Sequence, residues 1–75
     1  MNIRNLLQIG IKKLKENNIE EANLKCRMLL ANILNVTKEY LLIHDIEELE
    51  ENIVIDFNNK IEELKNRKAH TIYYL

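Results

Sequence analysis

The 75-residue sequence contains no proline, one glycine (Gly10) and one cysteine (Cys26). A small all-β protein needs turn residues at each reversal, so this shortage argues against strands and for helices. One cysteine cannot close an internal disulfide, which fits a reducing compartment. Neither sign of charge dominates: 11 basic residues against 12 acids give a net charge of −1. That balance is not the electrostatic footprint of a DNA or RNA binder. No run approaches the ~20 apolar residues of a membrane span. The opening "MNIRNLLQIGIKKLKEN" carries Lys12, Lys13 and Lys15 where a signal peptide has an uncharged apolar core. The expectation is a cytoplasmic chain with no membrane and no DNA among its partners.

What is present is enough for one domain. A chain of this size buries roughly 60% of its unfolded surface and folds with a narrow margin. With 47% apolar and 31% charged residues it is globular in composition, not disordered.

Periodicity predicts a first helix from Ile3 to Glu16, with Ile3, Leu6, Leu7, Gly10, Ile11 and Leu14 on one face. Gly10 lies within that face, where a missing side chain admits a close neighbour. Asn17 and Asn18 break the pattern, and Asn18 with Glu21 has the form of a capping pair for the next helix. That helix is expected from Glu20 to Leu34. Ala22, Cys26, Leu29, Leu30 and Ile33 form one apolar stripe on it, and Leu24, Met28 and Ala31 form another. A helix apolar on two sides is the central member of a bundle.

Asn35 suits the left-handed residue that closes a helix, and Thr37 suits an N-cap. "EYLLI" then reads as a brief third helix. "HDIEELEEN" reads as a turn or a single helical turn, with Asp45 and Glu48 in capping-box positions and a wet acidic side. A last helix is expected from Asn52 to Lys68, with Ile53, Val54, Phe57, Ile61 and Leu64 inward. Lys65, Arg67 and Lys68 at its end complement the helix dipole. "IYYL" then leaves as an extended segment. The expected fold is all-α: a small helical bundle of four to five helices with a short extended C-terminal tail.

No catalytic template is filled. Gly10 stands alone inside a helix and makes no phosphate-cradling loop. Cys26, His44 and His70 lack metal-ligand spacing. Cys26, on the core stripe, reads as a small buried hydrophobe. His44 beside Asp45 has no accompanying nucleophile and reads as a turn residue. Composition and pattern thus leave a contact domain: part of a larger enzyme, a free-standing helical protein–protein interaction module, or a small RNA-binding domain.

"EANLKCRMLLANILNVTKEYLLIHDIEEL", followed by "FNNKIEELKNRKAHTIYYL", resembles the N-terminal domain of the release-factor glutamine methyltransferases, the HemK/PrmC family. Ala22, Leu24, Leu29, Leu30, Ala31 and Leu34 match its core helix. Arg67 falls at one of its paired arginines, and Tyr74-Leu75 at the Tyr-Ile of the bridge to its catalytic domain. Asn66 replaces the other arginine, and Ala69, His70 and Thr71 stand in place of Gly-Glu-Pro.

The resemblance implies a non-catalytic bundle over residues 1–69, with residues 70–75 starting a linker to a catalytic domain outside this chain. That domain would bind S-adenosylmethionine, and the family's Asn-Pro-Pro-Tyr and glycine-rich loops are absent here. The implied role is to dock a peptide chain release factor, so that the glutamine of its Gly-Gly-Gln motif is methylated. Orientation of this kind lowers the entropy cost of bringing substrate to the catalytic group. Arg4, Lys12, Lys13, Lys15, Arg67 and Tyr74 are the candidate partner contacts, with no catalytic, cofactor or metal residues expected. The apolar tail also offers a surface for self-association.

Overall fold

A computed structural model describes the backbone of residues 1–74 and the side chains of residues 1–66. Among the described residues it is all-α, with four helices: α1 (Ile3–Glu16), α2 (Ala22–Leu34), α3 (Lys38–Ile43) and α4 (Glu51–Tyr74). None of these helices is long and apolar enough to cross a membrane.

Helix α1 forms where its pattern predicts it and buries Ile3, Leu6, Gly10 and Leu14. The Asn2 side chain caps it, accepting the Asn5 N–H at 2.8 Å. The first amides, which have no partner within a helix, are satisfied from a distance. Ile3 N–H donates to the Glu47 carbonyl at 3.1 Å and Arg4 N–H to the Asp45 carbonyl at 2.8 Å. A single antiparallel bridge between Asn2 and Glu48 fastens the same junction.

Asn18 acts differently from expectation. It is left-handed at φ 57°, its N–H donates to the Lys15 carbonyl, and the Ile19 N–H donates to the Leu14 carbonyl. This is a Schellman closure, in which the apolar residue after the left-handed one folds back onto the helix end. Ile19 is accordingly in the core. Asn18 therefore ends α1 and does not begin α2. Glu21, also left-handed at φ 56°, precedes α2 without any side-chain capping bond. The expected capping pair is corrected.

Helix α2 is the centre of the bundle and packs against α1, α3 and α4. Ala22, Cys26, Leu30 and Ala31 are buried. Leu24 and Met28 of the expected second stripe are exposed, because α3 is too short to cover them. Asn35 closes α2 at φ 59°, and the Thr37 side chain caps α3 by accepting the Tyr40 N–H at 3.1 Å. Both follow the sequence reading. No helix starts at Asp45; His44 to Ile46 form a turn, and Glu48 sits in the bridge to Asn2.

Phe57 and Ile61 of α4 are fully buried, with Ile53, Val54 and Leu64 packed around them. The helix runs on to Tyr74, past the expected end at Lys68. The tail expected to be extended from residue 72 onward is thus helical through Tyr74, and Leu75 lies outside the described residues. No proline removes a bond and no glycine ends the ladder in this stretch. Lys65, Arg67 and Lys68 accordingly lie inside the helix, away from the terminal dipole.

Candidate docking groove

Gly10 decides how closely the helices approach. A Cβ there would lie 2.7 Å from Phe57 Cζ and 3.1 Å from Cys26 Sγ, so α1, α2 and α4 meet at a point with no room for a side chain. Leu7 and Ile11 of α1 lie at the edge of the core, where both are half-buried. They look into a hollow of about 200 Å³ bounded by α1, α2 and α3. Arg4 and Gln8 of α1, Arg27 of α2, Leu41 and Leu42 of α3, and Asp45 complete its wall.

Exposed apolar side chains lie on and next to these groove residues in the chain. Leu42, Ile43 and Ile46 are 64%, 75% and 75% exposed. A helix of six residues can turn only one face inward, and α3 spends that face on Leu41. A broader depression of about 490 Å³ lies on the far side of α2. It is shallow, and Lys38 is the single charged residue among the described residues lining it.

The expected contact residues separate. Arg4 joins the groove, and Lys12 and Lys15 are exposed on α1. Lys13 turns toward α4, where its ammonium lies 3.9 Å from the Glu62 carboxylate. The side chains of Arg67 and Tyr74 lie outside the described residues. Arg27 is not among the contact residues expected from the sequence. Its place in the groove comes from the packing of α2 between α1 and α3, which periodicity does not reveal.

Tyr40 and the acidic turn brace the α3 side. The Tyr40 hydroxyl donates to the Glu47 carboxylate at 2.9 and 3.0 Å, and its ring stacks on His44 at 4.1 Å. The bond to Glu47 holds the phenol above its ordinary pKa. Cys26 is wholly buried, and burial pushes its thiol from 9.0 up to about 11, which makes it a poor nucleophile. Among the described residues no group of three or more His, Cys, Asp or Glu is arranged to hold a metal ion. The chemistry available to the groove is recognition by apolar contact and guanidinium pairing.

The model of the PrmC N-terminal domain matches residues 5–69. The chain belongs to that family. No curated protein and no solved structure matches it. The PrmC N-terminal domain match spans α2, α3 and most of α1 and α4, and so takes in every described groove residue except Arg4, which stands just before it.

Proposed function

We propose that this domain docks peptide chain release factors for a PrmC-type, S-adenosylmethionine-dependent protein-glutamine methyltransferase domain. The observation that carries this reading is the family match over residues 5–69. The domain contributes no chemistry and binds no S-adenosylmethionine itself. Its part is to hold the substrate protein so that the glutamine of the Gly-Gly-Gln motif reaches a catalytic domain. Positioning of this kind lowers the barrier without any reacting group, because the encounter becomes effectively unimolecular. The work would take place in the cytoplasm, beside translation.

The test is a calorimetric titration of a release factor into the purified chain, paired with a methylation assay of a PrmC enzyme with and without this domain. Expected are saturable binding and a raised KM, with smaller change in kcat, on removing the domain. Absence of binding together with an unchanged KM would refute the reading. The exposed Leu42, Ile43 and Ile46 equally suit a free-standing helical interaction module. The methylation arm separates the two, since such a module has no effect on KM. Self-association through the tail belongs to the same titrations, as a concentration dependence of the chain alone.

A further inference from the structure

We propose that the groove between α1, α2 and α3 receives an acidic amphipathic helix of the partner protein. Its apolar anchors sit on Leu7, Ile11 and Leu42, above the buried Leu41, and its carboxylates meet Arg4 and Arg27. The proposal rests on the docking reading above and adds the chemistry of what is docked.

Size comes first. Sites for cofactors and drug-sized ligands run to about 300–1,000 Å³. A hollow of about 200 Å³ is small for them and suits one or two anchoring side chains. Leu42 of the hollow is itself exposed, and Ile43 and Ile46, exposed too, lie beside lining residues in the chain, so an occupant with several apolar residues along one face gains more than a single inserted group. A helix offers such a face at spacings of three and four.

Charge selects the occupant. The guanidinium groups of Arg4 and Arg27 have no hydrogen-bond or ion-pair partner among the described residues. Asp45 is the single acid among the described lining residues and forms no ion pair there. The groove therefore carries unpaired positive charge on a chain of net charge −1. Lys12 and Lys15 lie further along α1 and continue the same sign. A guanidinium is weakly hydrated and presents a planar fork to a carboxylate, so it gives up little on being covered by one. Nucleic acid fits less well, because no aromatic side chain is among the described residues that line the groove for a base to stack on.

The probe is a designed amphipathic helical peptide with leucines on one face flanked by glutamates, titrated at low salt into the isotope-labelled chain and followed by amide shifts. Controls are the same peptide with lysines for glutamates, and an oligouridine RNA. Expected are saturable shifts at Arg4 to Ile11, Arg27 and Leu41 to Asp45. The lysine peptide should bind at least about tenfold more weakly, as should the acidic peptide to Arg4→Glu/Arg27→Glu, since both put like charges together. A gentler Arg4→Gln/Arg27→Gln variant, with circular dichroism to establish folding, serves if the double reversal misfolds.

Equal binding of the two peptides, shifts elsewhere, preference for RNA, or no saturable binding of the acidic peptide would each overturn the proposal. So would the same shifts appearing with concentration of the chain alone, which would give the groove to a second copy. The release factor is titrated into the same variants. If it binds wild type and Arg4→Glu/Arg27→Glu equally, the docking reading stands and the groove assignment fails. If the peptide binds in the groove and no release factor binds, the release-factor reading fails and the groove's chemistry stands.

Discussion

Replacing Gly10 by alanine sets two effects of known sign against each other. In a helix interior alanine is favoured over glycine by about 1 kcal/mol. Against this, the new Cβ would lie 2.7 and 2.8 Å from two ring carbons of Phe57 and 3.1 Å from the Cys26 sulfur. Restoring ordinary contact requires the ring to retreat by about 0.7 Å, and repulsion at such separations is steep. Phe57 has no exposed side toward which to swing. Overpacking of a filled core costs about 1–3 kcal/mol, and the upper part of that range applies to a ring enclosed on every side. The net expectation is a destabilisation of about 1–2 kcal/mol despite the better helix former. For a domain this small each kcal/mol moves the midpoint by about 4–8 °C, so the drop is readily measured by thermal circular dichroism. The decisive control is Phe57→Leu. In that background the clash is relieved, and Gly10→Ala should be neutral or stabilising. If Gly10→Ala raises the midpoint of the wild type, or if the two changes add within about 0.5 kcal/mol, the close approach is not what holds glycine there.

Leu30, wholly buried between two neighbours of α2, should lose about 2–5 kcal/mol on truncation to alanine, read as a lower urea midpoint. Asn35 at φ 59° should cost about 1 kcal/mol as alanine and almost nothing as glycine, because only the former meets the left-handed penalty. Cys26 should react with a thiol reagent far more slowly in the native chain than in denaturant; equal rates would mean an open site. Its thiol pKa, raised by burial from 9.0 to about 11, also sets a pH dependence. Below pH 9 both states hold the proton and the contribution is complete; above it the unfolded chain ionises first. Stability should therefore fall as pH rises from 9 toward 11, and Cys26→Ala should remove that component of the slope.

Local signals were legible where one residue type has one use. Asn35 and Thr37 announce a helix end and a helix start within three positions, and both do that work. The glycine in the apolar face of α1 announced a close approach, and Phe57 fills the space. Asn18 was ambiguous because asparagine serves both as an N-cap and as a left-handed terminator. The apolar Ile19 immediately after it was the available discriminator, since a Schellman closure returns that residue to the core. The two-sided apolarity of α2 gave its central place but not the exposure of Leu24 and Met28, because a pattern does not state how far a neighbour extends. The helical reach of α4 past Lys68 was missed by giving weight to β-branched and aromatic residues, whose propensity is weaker than an uninterrupted ladder. The groove could not be read at all from one helix at a time. Its walls come from three helices and a turn.

The acidic stretch from Asp45 to Glu51 ties the core to that groove. Read along the chain, its five acids look like a solvated face. In the fold the backbone carbonyls of Asp45 and Glu47 accept the first amides of α1, while Met1 accepts the Leu49 N–H through its own carbonyl. Helix α1 has no acid in its first turn. The neighbouring turn brings negative charge to the positive end of its dipole, where carboxylates are favourable by a few tenths to about 1 kcal/mol each. Glu48 also lies 3.5 Å from the Met1 ammonium. The same carbonyl that receives the Arg4 amide belongs to Asp45, so the bond that caps α1 also sets Arg4 and Asp45 on one wall of the groove. Tyr40, bonded to Glu47, extends the constraint to α3, which carries Leu41 and Leu42. Arg4, Asp45 and the α3 part of the groove's apolar wall are thus positioned by one network. A change that loosens the turn should alter the proposed docking before it alters the buried core around Phe57.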